Sequence, residues 1–308
     1  MVRALLGPSE RHQIRLAKGL VIEVGFDSRI EEALLLSSQA EPDHVWEPQT
    51  TKLLLALAKG AAHVIVGGAY IGDQVIFLAQ SLASQLPHGI VHAFEPMKSA
   101  HARLLRNVQL NQFANVVVQQ CGLWDINTNL QLVGPPALAS ASPVTGDLLP
   151  TEVVPAVSLD CYIAAQALDS VGLVMLDLEG GEEHALAGAQ ELLGRPWPQA
   201  PHLVFEVHRN YVDWSQGLEN TSLVRQLMAC GYRLWAIRDY QDNQPMGNVP
   251  VEVIPIDQVY LAGPPHGFNL LASKEHDLVE RLQLRVVTHV SPKLLHGKDP
   301  ALHQPLSR

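Results

Sequence analysis

Between residues 64 and 205, short apolar runs alternate with stretches whose apolar residues recur at helical spacing, and this alternation leaves few folds open. It is the pattern of βαβ units on a parallel sheet. VIV (64–66) reads as a buried strand, and GGAYIG (67–72) opens a helix in which Val75, Ile76, Leu78, Ala79 and Leu82 keep helical spacing. IVHAFEP (90–96) is the next strand, Ala102, Leu104, Leu105, Val108 and Leu110 mark the next helix, and VVVQQ (116–120) is a third strand. Residues 124–157 are rich in Pro, Ser, Thr and Asn and are expected to form hairpins or a long mobile loop. Helical periodicity resumes in VSLDCYIAAQALD (157–169). GLVMLDLEGGEE (172–183) and PHLVFEVHRN (201–210) supply the fourth and fifth strands, residues 223–228 a helix, and GYRLWAIRD (231–239) and FNLLAS (268–273) closing strands. Residues 20–48 are expected to lay a small hairpin layer over the first unit, and the polar tail from Ser291 to be loose.

The 21 Lys and Arg stand against 31 Asp and Glu, for a net charge of −10. No local basic patch offsets this, so nucleic acid is disfavoured as a partner. Hydrophobic residues make up 47% and charged residues 17%, where about 25% charged is usual, which indicates a core-rich globular chain. The reading favours one large domain over residues 49–275, with a β-rich N-terminal extension (1–48) and a C-terminal tail (276–308). Cys121, Cys161 and Cys230 form no CxxC pair, so neither a zinc knuckle nor a disulfide framework is indicated. Pro8, Glu10, Arg11 and Arg15 interrupt any apolar run of an export signal, and a cytoplasmic location is expected. The uncharged stretches 74–94 and 126–146 approach the roughly 20 residues of a spanning helix, but Pro87, Gly89, Gly134, Pro135 and Pro136 break them.

Chemistry concentrates at the strand ends. A glycine turn between strand and helix at 64–82 lets a ligand approach the backbone and rest on a helix N-terminus. Its glycines, Gly67, Gly68 and Gly72, miss the GxGxxG spacing because position 69 is alanine. Glu95, at the end of the second strand, is placed to accept hydrogen bonds from both ribose hydroxyls of a nucleotide lying across the strand tips. Strand alternation puts Asp177 and Glu179 on one side of the fourth strand, and Glu206 and His208 on one side of the fifth. Glu206 stands among Val204, Phe205 and Val207, where an unpaired charge is costly. The chain has no GxxxxGK[ST], GxSxG, HExxH or Tyr-x-x-x-Lys pattern, which argues against phosphoryl transfer and serine hydrolysis. His88, His92 and His101 span a turn, a strand and a helix and are read as packing residues, not as a metal site.

Five stretches, in their joint order and spacing, resemble the FkbM-type methyltransferases: WEPQTTKLLLAL (46–57), GAYIGD (68–73), VHAFEPMKSAHARLLRNVQLN (91–111), VSLDCYI (157–163) and VMLDLEGGEEHALAGA (174–189), followed by FEVH (205–208). The resemblance runs roughly over residues 46–273. It implies the class I fold, a Rossmann-like α/β architecture with a seven-stranded mostly parallel sheet and helices on both faces, here with the small N-terminal layer added. It also implies S-adenosylmethionine as cofactor and S-adenosylhomocysteine as product. Gly68, Ala69, Tyr70 and Gly72 would lie under the methionine portion, Glu95 would hold the ribose, and Gly122 and Leu123 would flank the adenine, with Trp124 over the base or simply packed. The family's usual first-strand acid is Val66 here and its loop asparagine is Tyr70; Glu47, Asp177 or loop carbonyls stand in for the missing acid. Asp177 is implied near the sulfonium.

His208, oriented by Glu206, is the candidate general base for O-methylation of a hydroxyl on a small-molecule, natural-product or glycan acceptor. No metal is assigned; a divalent ion held by Asp177 with Glu206 or His208 is the alternative within this chemistry. Outside it stand an NAD(P)-dependent oxidoreductase on a similar sheet and a degenerate methyltransferase fold serving as a partner subunit. The acceptor is expected to touch the 124–157 segment, the N-terminal layer and residues 211–214, and a homodimer is the default expectation for assembly.

Overall fold

The computed structural model describes residues 10–37, 44–85, 89–134, 139–143, 152–262, 267–295 and 299–303. A hairpin of β1 (His12–Arg15) and β2 (Val21–Val24) leads into α1 (Arg29–Ser37) and β3 (His44–Trp46). There follow α2 (Pro48–Leu57), β4 (His63–Gly67), α3 (Val75–Gln85), β5 (Ile90–Phe94), α4 (Lys98–Leu110) and β6 (Val116–Gln119). An insert of β7 (Gly122–Leu123), β8 (Thr128–Val133), β9 (Ser140–Pro143) and β10 (Glu152–Val157) precedes α5 (Leu159–Ala165) and β11 (Val171–Leu176). Next come α6 (Glu182–Ala187), α7 (Gln190–Gly194), β12 (His202–His208), α8 (Ser222–Ala229), β13 (Arg233–Arg238), β14 (Asn243–Pro245) and β15 (Glu252–Pro255). The described elements end with β16 (Gly267–Ser273), α9 (Leu278–Arg281), β17 (Arg285–Val286) and a last short turn of helix, α10 (Pro300–His303).

The central sheet has the order β17-β15-β13-β16-β12-β11-β4-β5-β6. From β6 to β12 neighbours run parallel, and β16 lies antiparallel between β12 and β13. The seven strands from β13 to β6 are the sheet implied by the sequence; β15 and β17 extend it. β4 has β5 on one side and β11 on the other, so the chain winds away from it in both directions and a crevice opens at its C-terminal end. The strands carry continuous apolar runs because both faces are covered. Ile65, Leu176 and Phe205 feed one core, while their neighbours Val64, Val66, Met175 and Val204 feed the other.

The layer expected from residues 20–48 is a hairpin only in part. Val21–Val24 pairs with His12–Arg15, but Arg29–Ser37 is a helix that opens with Glu31 and Glu32 in its first turn and buries Leu34. Two asparagines of α4 fasten the hairpin down. Asn107 Oδ1 accepts from the Glu23 amide at 2.7 Å while its Nδ2 donates to the Ile71 carbonyl at 2.7 Å, and Asn111 bonds both the amide and the carbonyl of Val21. The described parts of the 124–157 segment form a sheet of order β7-β10-β8-β9, with Leu130, Leu132, Val154 and Ala156 on its buried side.

The tail departs from expectation too. Ser291, Lys293 and Leu294 are buried, the Asp239 amide donates to the Pro292 carbonyl at 2.9 Å, and the Leu294 amide donates to the Asp239 carbonyl at 2.8 Å. Polar composition suggested looseness, but these backbone pairings bind residues 291–294 to the end of β13. Among the described residues, no helix is long and apolar enough to cross a membrane.

Candidate active site

The turn after β4 is built around backbone approach. Gly68 and Ala69 both donate to the Phe94 carbonyl, at 3.0 and 2.9 Å, which ties the loop to the end of β5. Gly68 has φ +73°, and a Cβ there would fall 1.7 Å from the Asp177 carbonyl oxygen, so the loop and the tip of β11 touch through a position only glycine can fill. Gly68, Ala69 and Tyr70 line a cavity at the strand tips; Gly72 does not, and its φ of +91° together with the nearby Leu104 side chain accounts for that glycine.

Glu95 lines the same cavity. Its Oε2 accepts from the Tyr70 amide and its Oε1 from the Met97 amide, both at 2.9 Å. Burial pushes its carboxyl up to about 8, against the pull of these two bonds. Gly122 and Leu123 also line the cavity, and Leu130 reaches within contact of Gly122. Leu130, Leu132 and Met97 belong to one apolar cluster with Trp124, so the insert walls the Glu95 end of the cavity, with Ile30 of α1 beside it. Trp124 is buried and stacks on His184 with ring centroids 3.9 Å apart, a fixed wall with its amide bonded to the Val157 carbonyl.

The opposite end is acidic. Glu47, Asp73, Asp177 and Glu179 line it, and Glu206 stands behind them with one carboxylate oxygen within 4.8 Å of those of Asp177 and Glu179. Removal from water raises the Asp177 carboxyl well above its usual range, with the charges of Glu206 and Glu179 adding to it. Burial, then the charges of Glu47 and Glu179, push Glu206 up to about 8, and burial assisted by Glu47 pushes Asp73 up to about 7. Mutual repulsion ties the titration of Asp177 to that of Glu206. Nothing beyond the carboxylates themselves points to an ion, so no metal is assigned.

Glu206 and His208 do lie on one side of β12, as alternation requires. The Cβ of a side chain at Gly267 would come within 2.3 Å of Glu206 Oε1 and 2.7 Å of His208 Cδ2. Neither residue lines the cavity, and His208 Nδ1 accepts the Asn210 amide at 3.1 Å. The ring of Tyr211 lies over Gly180, covering the turn that carries Glu179.

Sequence reasoning gave no role to Asp73, Asn269, Lys293 or the pair Glu31 and Arg103. Asp73 was visible inside GAYIGD. The others are brought in by distant elements. Glu31 is fully buried, its carboxylate accepts from Arg103, the Gly25 amide and the Tyr70 hydroxyl (2.6 Å), and it thereby fixes the N-terminal layer to the glycine loop. Burial works to raise its carboxyl, but the bonds and charge of Arg103 overcome that and hold it below the usual range.

No curated protein matches the chain. Solved structures that resemble it include an S-adenosylmethionine-dependent methyltransferase from Agrobacterium tumefaciens (11% identity, 88% of this chain and 71% of that one, TM-score 0.45). The O-methyltransferase from Bacillus cereus in complex with S-adenosylhomocysteine is 16% identical over 80% of this chain and 90% of that one (TM-score 0.43). The O-methyltransferase TomG from Streptomyces achromogenes is 14% identical over 82% and 92%, with TM-score 0.42. These are distant likenesses. The profile of the methyltransferase FkbM domain matches residues 67–234, from the glycine loop to β13 and more than half of the chain. The chain therefore belongs to the FkbM methyltransferase domain family.

Proposed function

We propose that the chain is an S-adenosylmethionine-dependent O-methyltransferase acting on a hydroxyl of a small-molecule, natural-product or glycan acceptor. The observation that carries this reading is the acidic wall of the cavity, whose carboxyl groups a positively charged ligand would help to ionise. Five carboxylates line it (Glu47, Asp73, Glu95, Asp177 and Glu179), and among the described lining residues there is no basic side chain. A nicotinamide dinucleotide would bring an anionic pyrophosphate against that wall; a sulfonium donor with an ammonium group brings positive charge to it.

The residues present fit such a donor. Each Glu95 oxygen keeps a lone pair beyond its amide bond, enough to accept from ribose hydroxyls. Gly68 leaves the backbone open on the cavity side, and Met97, Leu123 and Leu130 offer apolar contact to a base. When bound, the donor supplies a methyl group already activated on sulfur. The protein then has to align an acceptor and remove its proton. Asp177 lines the cavity, and once a positively charged donor beside it favours its ionised form, its raised pKa makes it a stronger base than an ordinary carboxylate; Glu206 and Glu179 have carboxylate oxygens within 4.8 Å of it. His208, two residues on from Glu206 along the same side of β12, is the second candidate.

Calorimetric titration with S-adenosylhomocysteine and with NAD tests the donor: binding of the first and not of the second is expected. NAD binding alone sinks the reading, and binding of neither favours the partner-subunit alternative. With an acceptor from a hydroxyl-compound screen, Asp177→Asn and Glu206→Gln should each lower turnover about a hundredfold or more. If Asp177→Asn keeps wild-type turnover while His208→Ala loses it, the base is His208.

A further inference from the structure

Glu47, at the start of α2, is held in place by residues from far along the chain. Glu47 is the N-cap residue of α2, with φ 45°, yet its carboxylate makes no capping bond. That task falls to Asp239, whose oxygens accept the amides of Gln49 and Thr50 at 3.1 and 2.7 Å. The Glu47 side chain is thus released toward the cavity, which it lines together with Val66 and Gly68. Two residues from far along the chain hold it there. Asn269 Nδ2 donates to Glu47 Oε2 at 2.7 Å, and Lys293 Nζ lies 3.9 Å from Glu47 Oε1. Asn269 pairs with Glu206 across β12 and β16.

Lys293 is 3% exposed and does not line the cavity. Burying a lysine so deeply is costly unless its charge is compensated. Its backbone is fixed as well: its amide donates to Ser291 Oγ at 3.1 Å, and the residue bridges to Asp239. One unit therefore links the C-terminal segment to Asp239, to the capped end of α2, and through Lys293 to Glu47. Glu95 lies at the other end of the cavity and has Glu152, not this group, as its charged neighbour.

We propose that Glu47 receives the ammonium group at the amino-acid end of the donor, and that Lys293 and Asn269 are positioning residues that hold its carboxylate for that contact. This rests on the methyl-donor reading above. A donor whose ribose is on Glu95 and whose base lies against Met97 and Leu130 points its amino-acid end at the acidic side of the cavity. Glu47 there has one oxygen oriented by an amide and the other faced by a buried cation. The C-terminal segment then belongs to the donor site although it touches no ligand.

The test compares S-adenosylhomocysteine with 5′-methylthioadenosine, which shares the nucleoside but lacks the amino-acid end. Calorimetry is run on the full chain as wild type, Glu47→Gln, Lys293→Met and Lys293→Arg, with thermal melts to confirm folding. Glu47→Gln should weaken S-adenosylhomocysteine about tenfold or more, Lys293→Met several-fold, and Lys293→Arg should restore binding, while 5′-methylthioadenosine binds all four alike. Unchanged affinity for S-adenosylhomocysteine in both Glu47→Gln and Lys293→Met overturns the proposal, and so does parallel loss of both ligands in folded protein. If Lys293→Met does not fold, Glu47→Gln decides alone. Wild-type protein that binds neither ligand refutes the donor reading instead.

Discussion

Glu95 offers the sharpest test of the cavity, because its carboxylate serves the fold and the ligand at once. Replacing it with alanine leaves the amides of Tyr70 and Met97 without their acceptor, and each such loss costs about 1–3 kcal/mol when no water takes over. The cavity admits water, so the lower end applies, and a total near 2 kcal/mol corresponds to a fall of several degrees in Tm. Binding should suffer more. A hydrogen bond to a charged acceptor contributes about 1.5–3 kcal/mol, so losing one ribose contact weakens S-adenosylhomocysteine by roughly tenfold to a hundredfold. The carboxyl titrates at about 8, and the wild-type affinity should therefore rise between pH 7 and 9 as it ionises. That rise should vanish in Glu95→Ala. Calorimetry at several pH values and a melting curve suffice. A folded Glu95→Ala protein with wild-type affinity at every pH would refute the assignment of the ribose to this residue.

Two more outcomes follow from the same geometry. Gly267→Ala places a carbon 2.3 Å from Glu206 Oε1 and 2.7 Å from His208 Cδ2, and it should cut turnover at least about tenfold through these side chains while leaving donor binding, which neither residue contacts, within twofold; wild-type turnover in steady-state assays would show that their placement does not matter. The unliganded protein should also lose stability as pH rises from 7 to 9, because folded Glu95 and Glu206 titrate at about 8 and keep protons that an unfolded chain releases near its usual carboxylate range; the contribution is complete below that range and gone above the folded value. A Tm that is equal or higher at pH 9 would contradict it. His92 and His202 do not interfere in this window, since burial lowers both to about 4 and their unfolded forms are already largely neutral above pH 7.

What could be read from the sequence depended on how local the cause was. The core strands were legible because each is buried on both faces, so Val64, Ile65 and Val66 are all apolar although they enter different cores. Gly68 was legible because its backbone conformation and its contact with Asp177 permit no side chain. The insert was legible only as two alternatives, hairpins or a long mobile loop, because Pro, Ser and Thr dominate its composition, and its described parts form antiparallel pairs as the first alternative expects. Its sheet rests on the alternation Leu130, Leu132 against Val154, Ala156, a short signal that pairing across a gap makes decisive. Alternation correctly put Glu206 beside His208 but carries no information on whether either side chain reaches the cavity, and neither lines it.

Val66 shows the same limit from the other direction. Compared position by position, the first strand has lost an acid that the family usually carries. In three dimensions Glu47 lines the same cavity as Val66, brought there by a left-handed turn at the start of α2 and by an asparagine and a lysine from the last third of the chain. Selection on a ligand site acts on the field inside the cavity, and a carboxylate can enter that field from any element that borders it. A motif compared residue by residue records a vacancy at Val66, whereas the cavity wall beside it carries a carboxylate from the start of α2.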